Sequence, residues 1–381
     1  MAHSVTLDRP VTAKAARLVS LDVLRGITIA FMILVNNGNQ YSYWPLHHAD
    51  WNGWTPTDMV FPTFLFLMGA SIVFSFESRL SRGVAKSTLF LHTIRRFAIL
   101  VFLGLVVNGF PYFHLHTLRI YGVLQRIAVC FLLASLLYLW NRGAASKLIL
   151  VLAALVGYWI LMRWVPVPGY GLPGRDIPLL DRDANLVAYF DRLIFPGRLY
   201  EGTRDPEGLI STLPALATTL LGMLTGIWLR TANSLRKKCW GMLGAGAACI
   251  LLGEIWNLSF PFNKKLWTSS YVLLAAGITL LCWALCYWAV EIRGWKSGWT
   301  SFWLAFGMNA ITAYVISELL ASALWSIHTS PRRTLAHDIY SLWFSHIHPP
   351  AIGALTYSIL FVLVCWLPVF VLYRKRIFLR V

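Results

Sequence analysis

Residues 36–68 read NNGNQYSYWPLHHADWNGWTPTDMVFPTFLFLM, and their reading decides the fold. An apolar run ends at Val35. A polar, aromatic loop follows, carrying His47, His48, Asp50, Trp51 and Asn52. A second apolar run opens behind Thr55-Pro-Thr-Asp58, where Thr55, Thr57 or Asp58 suits a helix start. Two apolar runs joined by so short a loop predict antiparallel helices with the loop at one end. Ionisable groups are expensive at membrane depth, so a cluster of them there points to function.

The rest of the chain repeats this pattern. Of 381 residues, 57% are hydrophobic and 13% charged, against about 25% charged in a soluble domain. Apolar runs near the ~20 residues that span hydrocarbon fall at about 20–37, 57–76, 94–113, 120–140, 147–165, 209–229, 239–257, 268–290, 301–324 and 351–373. They predict an all-α polytopic membrane protein of about ten transmembrane helices. A β-barrel would show short alternating strands instead. Residues 1–16 are polar and basic, without a cleavable apolar leader, and are expected to form a cytoplasmic tail. Residues 17–381 are expected to form one transmembrane domain.

Lysine and arginine in the loops orient the spans. With the N-terminus in the cytoplasm, the inner side holds 21 of the 33 basic residues and the entire net charge of +17. An even number of spans then puts both termini inside. Orientation alone accounts for this asymmetry. The sharper reading is that some inner basic residues also hold an anionic, phosphate-bearing ligand. Two outer loops are long. Residues 166–208 are rich in Pro, Gly, Asp and Tyr, and their aromatic content predicts an ordered cap; residues 325–350 form the second.

All six cysteines lie in or at the edge of apolar runs, so no disulfide is expected. The HxH pairs at 114/116 and 346/348 lack a third ligand, and no metal is expected. The chain has no P-loop, GxSxG, HExxH or nucleic-acid motif.

Five constellations could carry chemistry. In the first, His48 is followed at short range by Asp58, and Asn36 and Asn37 end the preceding helix. An imidazole oriented by a carboxylate makes a general base. The bland alternatives are a hydrogen bond to a carbonyl for the histidine, the expected state of His47, and a helix cap for Asp58; cap and partner are compatible. Second, Gln125 and Arg126 lie inside the fourth span. A buried arginine needs a carboxylate such as Glu254 or Glu318, or a ligand phosphate or carbonyl. Third, Asp205-Pro-Glu207-Gly suits either a helix start or contact with a cationic or hydroxyl-rich ligand. Fourth, residues 262–270, with Asn263, Lys264 and Trp267, mix polar and aromatic groups as sugars favour, or as an interfacial belt does. Fifth, Asn309 in the ninth span is interhelical glue or a ligand contact.

Leu21-Asp-Val-Leu-Arg-Gly26, Val35-Asn-Asn and His48-Ala-Asp-Trp-Asn-Gly-Trp-Thr-Pro-Thr-Asp58-Met-Val-Phe-Pro62 closely resemble the heparan-α-glucosaminide N-acetyltransferase family, most nearly its bacterial NagX-type members. The likeness continues through Gly122-Val-Leu-Gln-Arg126, Asp205-Pro-Glu-Gly208, Asn263-Lys-Lys-Leu-Trp-Thr268 and Gly307-Met-Asn309, and covers essentially the whole chain. The resemblance implies transfer of acetyl from cytoplasmic acetyl-CoA to a glucosamine-like amino sugar on the far side of a bacterial inner membrane, by a homodimer. It puts the active histidine on His48 and its partner on Asp58. The family asparagine falls on Asn36 if one residue is inserted in the loop, and on Asn37 otherwise. Coenzyme contacts are expected from Arg25, Gln125, Arg126 and Asn309. Sugar contacts are expected from Trp51, Asn52, Glu207, Asn263, Lys264 and Trp267. Two other classes stay open: a sugar transporter, which would move sugar without acetyl-CoA, and a scaffold, which would tolerate loss of His48 and Asp58.

Overall fold

The computed structural model describes residues 18–378. The expected tail at 1–16, and Asp8, Arg9, Lys14, Arg17 and Arg380 of the expected inner set, lie outside the described residues. Thirteen α-helices follow in order among these: α1 (Val19–Asn36), α2 (Val60–Leu80), α3 (Lys86–Gly109), α4 (Val123–Trp140), α5 (Ala144–Trp164), α6 (Leu186–Ile194), α7 (Thr212–Leu229), α8 (Leu235–Asn257), α9 (Ser269–Tyr287), α10 (Gly298–Met308), α11 (Ala310–Ser326), α12 (Leu335–Trp343) and α13 (Pro350–Arg374). A small hairpin, β1 (His328–Ser330) and β2 (Arg333–Thr334), precedes α12.

Nine of these helices are long and apolar enough to cross a membrane; that of α2 includes the 3-10 turn Pro56–Met59 before it, and that of α9 the π-helical turn after it. The protein is a multi-pass membrane protein by these spans. The ninth expected span, 301–324, is not one rod. It is α10 and α11, bent by 76° at Asn309. The third span also departs from expectation. It starts at Lys86 rather than near residue 94, because long basic side chains can reach water from within a helix, and it ends at Gly109 ahead of Pro111.

Helices α2, α7 and α9 form the interior. In α2, 78% of the most apolar stretch is buried, against 17% in α3 and 22% in α8. The outer helices turn Leu152, Leu251 and Leu363 outward, as lipid-facing surfaces require. Association in lipid relies on close packing rather than on hydrophobic burial, and small residues supply it. A Cβ on Gly69 of α2 would lie 1.9 Å from the Thr219 carbonyl of α7, and one on Gly222 would lie 1.9 Å from the Phe66 carbonyl. The α2 and α7 backbones therefore touch. Gly26 and Gly307 bring α1 and α10 together in the same way.

The bundle has two unlike ends. Segments 37–59, 110–122, 165–211, 258–268 and 327–349 gather at one, as contacts between Trp51 and Leu180, Arg119 and Asp205, and Tyr112 and Ser326 show. Short turns at 81–85, 141–143, 230–234 and 293–297 gather at the other. There Glu77 pairs with Arg142 (3.3 Å) and Arg230 (3.6 Å). The long segment 165–211 is ordered. Asn185 caps α6 by accepting from the Ala188 amide (2.9 Å), Arg204 pairs with Asp183 (2.7 Å), and Glu201 of this cap pairs with Lys265 (2.8 Å).

Candidate active site

The loop end is organised by Asp58. It sits in the 3-10 turn Pro56–Met59 that leads into α2 and is fully buried. One oxygen, Oδ1, lies 2.7 Å from His48 Nδ1. The other, Oδ2, accepts from the Ala49 and Thr55 amides, both at 3.0 Å, and lies 3.1 Å from the Thr55 hydroxyl. The Tyr271 hydroxyl of α9 donates to the Asp58 carbonyl (2.5 Å). Asp58 thus caps its helix and orients the imidazole at once.

An ionised carboxylate only accepts. The 2.7 Å contact therefore assigns the proton to His48 Nδ1 and leaves Nε2 as a base. His48 is 49% exposed while Asp58 is 1% exposed, so the ring opens outward from a fixed anchor. His47 does otherwise. Its Nε2 meets the Ser42 carbonyl at 2.9 Å, the structural role expected of it.

Lys264 completes a triad that was read from the sequence as a pair plus a sugar contact. Its Nζ is 3.3 Å from Asp58 Oδ1 and 2.9 Å from His48 Nδ1. An ammonium has no acceptor, and Nδ1 already holds a proton, so the favourable partner is the carboxylate. Burial lowers Lys264 from its ordinary value, opposed by the facing Asp58 and Glu207 carboxylates.

The other expected sugar contacts hold the loops together. Trp51 is buried and donates to the Leu180 carbonyl (2.7 Å), with the Arg182 and Arg204 guanidiniums over its ring at 5.5 and 5.3 Å. Asn52 accepts from Asn263 (3.1 Å), and Asn263 in turn accepts from the Leu266 amide (2.9 Å). Trp267 is buried edge-on against Phe61 and Tyr271, and its indole N–H reaches Thr218 (3.2 Å). Glu207 pairs with Arg119, which also holds Asp205. Burial pulls Arg119 down, but the two carboxylates outweigh it and hold the guanidinium above its ordinary value.

The two asparagines part company. The Asn37 amide donates back to Ile33 of its own helix (2.8 Å). Asn36 reaches across to Glu318 of α11 (3.1 Å). Glu318 entered the sequence reading only as a partner for Arg126, and the structure corrects that pairing. Arg126 is fully buried and donates to the Gly208 carbonyl (2.8 Å) and the Ser211 hydroxyl (2.5 Å), with its guanidinium 5.2 Å from the Trp267 ring. Gln125 accepts from the Gly122 amide (3.2 Å) at the head of α4.

At the opposite end a cavity of about 470 Å³ enters the bundle. Its wall carries Arg25, Arg79, Arg82, Arg96 and Arg230, with Asp22 as the opposing carboxylate. Arg25 of the expected coenzyme set is here, bonded to Asp22 (3.1 Å), Ser71 (2.5 Å) and the Gly307 carbonyl at the end of α10 (3.2 Å). Asn309 sits at the break beside the lining residues Met308 and Ala310. Gln125 does not line this cavity and bonds the head of α4, and Arg126, also outside its wall, ties α4 to the segment ahead of α7. The Nε of Arg96 is buried without a hydrogen-bond partner. Phe64 of α2 also lines the cavity, about 9 Å of helix rise from Asp58.

Comparison with known proteins agrees with the motifs. A family model described as "Heparan-alpha-glucosaminide N-acetyltransferase, catalytic" matches residues 17–255. Heparan-alpha-glucosaminide N-acetyltransferase of Homo sapiens is 29% identical over 97% of this chain and 61% of its own length. That of Mus musculus is 30% identical over 81% of this chain and 54% of its own length. The chain therefore spans less than two thirds of these curated relatives. The family match covers more than half of the chain, and on it the chain belongs to the heparan-alpha-glucosaminide N-acetyltransferase catalytic family.

Proposed function

We propose that this protein transfers an acetyl group from acetyl-CoA to the amine of a glucosamine-like amino sugar, with the coenzyme entering from the basic cavity and the sugar from the His48 end. The observation that carries the reading is the His48–Asp58–Lys264 constellation at an open end of the bundle, opposite a cavity walled by five arginines. The coenzyme suits that wall. Its nucleotide end carries phosphates, guanidiniums are the preferred phosphate partners, and Arg96 keeps a buried N–H without a partner. Arg25, Arg79, Arg82, Arg96 and Arg230 would hold it. When bound, it supplies an acyl thioester.

The chain's own groups then act on the amine. His48 Nε2 takes the proton that leaves the sugar nitrogen as the C–N bond forms and the C–S bond breaks, and returns it to the departing sulfur. Asp58 holds the imidazole in the productive tautomer and stabilises its cation. Asn36 is the better candidate to polarise the acyl carbonyl, because Asn37 is turned back onto its own helix. The positive-inside rule puts the cavity end in the cytoplasm and His48 outside. The inner membrane of a bacterium, a single transmembrane domain and a homodimer belong to the same reading.

Release of free CoA tests it. Purified protein given acetyl-CoA and glucosamine should release CoA, and His48→Ala should cut the rate by about 10²-fold or more. Undiminished turnover in His48→Ala would remove the assignment. The bent α10–α11 crossing is the feature that favours a transporter, since broken helices line many transport sites. Sugar flux into vesicles lacking acetyl-CoA would support that second reading.

A further inference from the structure

Glu318 is a carboxylate of the loop end that the reading above leaves without a task. It is half-buried, eight residues into α11, within a span of the membrane. An ionisable side chain at that depth is expensive to keep and calls for a partner. Among the described residues that partner is the neutral Asn36 amide (3.1 Å), and no lysine, arginine or histidine nitrogen lies within 4.0 Å of it. The carboxylates near His48, Arg119 and Lys265 differ. Asp58 faces His48 and Lys264, Glu207 and Asp205 share Arg119, and Glu201 faces Lys265.

Glu318 is also connected to the candidate site. Asn36 closes α1, and α1 touches the 3-10 turn that carries Asp58. Tyr314, one turn before Glu318 on the same face of α11, lies within electrostatic reach of Glu318, Glu207 and Arg119. Glu207 in turn acts on Lys264 beside His48. Asn36, Glu318, Tyr314, Glu207 and Lys264 thus form a chain of neighbours that ends at the His48–Asp58 pair. The cations Lys264 and Arg119 each have a carboxylate, and Glu318 has no cation.

An alkyl amine reaches the protein mostly protonated near neutral pH. We infer that Glu318 is the ammonium-recognising residue of the acceptor site, and that it selects an amino sugar over a neutral sugar by pairing with the cationic nitrogen before His48 acts on it. The inference rests on the acceptor proposed above. Glu318 forms no covalent bond and consumes no proton. The ammonium loses one proton to solvent, and the second leaves through His48 as already described. Pairing favours the charged, non-nucleophilic form, so the gain belongs to capture and orientation rather than to the bond-making step.

Glu318→Gln keeps an acceptor oxygen for Asn36 and removes only the charge. In the full-length protein, it should raise KM for glucosamine about tenfold or more, with kcat at saturation within about threefold of the parent. Competition measured with glucosamine and with glucose gives the second readout. The parent should prefer glucosamine, Glu318→Gln should lose that preference while binding glucose as before, and Glu318→Asp should recover part of it. An unchanged KM, a fall in kcat alone, or equal weakening of glucosamine and glucose would overturn the inference and leave the proposed activity standing. Absence of glucosamine-dependent CoA release in the parent itself would overturn both. If Glu318→Gln fails to fold, Glu318→Asp with the glucosamine-to-glucose preference decides: a preference equal to the parent's overturns the inference, and a reduced one supports it.

Discussion

Asp58 has more donors than any substitute could serve. Both oxygens are engaged, one by His48 Nδ1 and the other by two amides and the Thr55 hydroxyl. An asparagine in its place would present one oxygen and one NH₂. If its oxygen stays with the two amides, its NH₂ meets the Nδ1–H and the ring turns over to the wrong tautomer. If the oxygen faces His48, two buried amides lose their acceptor. Asp58→Asn is therefore expected to lower kcat by about 10²- to 10⁴-fold, checked by steady-state CoA release. Loss of thermal stability beside the loss of rate would mark the second arrangement, and loss of rate alone the first. The pair was legible in the sequence because its members are close in the chain and the loop between them is short. Lys264 was visible as a polar residue of an outer loop, but its place at His48 was not, since 216 residues separate them. Glu318 and Asn36 are 282 residues apart, and nothing local announces that contact.

Among the elements, the continuous helices were readable because twenty apolar residues have few other stable forms in a bilayer. The break at Asn309 was not, because Gly307-Met-Asn is flanked by apolar residues that carry the hydropathy through it. The outer cap was foreseen as ordered, but α6 was not foreseen as its core. Asp191 of α6 is fully buried; its Oδ1 accepts from the Leu209 amide (2.9 Å), and its Oδ2 lies against Gly208. Burial pushes its carboxyl up from 3.8 to about 6. The folded cap thus binds this proton more tightly than the unfolded chain does. The resulting stabilisation is complete below about pH 3.8 and is lost as the pH rises through about 6. At pH 7 an ionised Asp191 opposes folding by up to about 3 kcal/mol. Asp191→Asn should therefore melt higher than the parent at pH 7, with the difference closing toward pH 4, as read by thermal unfolding in detergent. A difference that does not change with pH would place its origin elsewhere.

For the molecule as a whole, the unlike ends set the experiment. The cavity with its arginines opens at one end and the His48 ring is exposed at the other. In sealed vesicles of known orientation, acetyl-CoA and glucosamine should react when supplied on opposite sides, and not when both are on the His48 side. Equal rates from either arrangement would contradict the proposed sidedness. The charge asymmetry was plain in the sequence, but the cavity was not, because its wall draws on residues from 18 to 311.

The short distance between the floor of that cavity and Asp58 has an electrical consequence. Where a solvated pit approaches the far surface, the transmembrane voltage drops mainly across the thin septum left between them. A full charge carried through that septum would exchange about 2.3 kcal/mol per 100 mV with the field. One proton of the ammonium is shed on the side where the sugar waits, and the other returns through His48 to the sulfur, so the acyl group and that proton move in opposite directions and no net charge crosses. The resting potential should thus neither push the handover nor resist it.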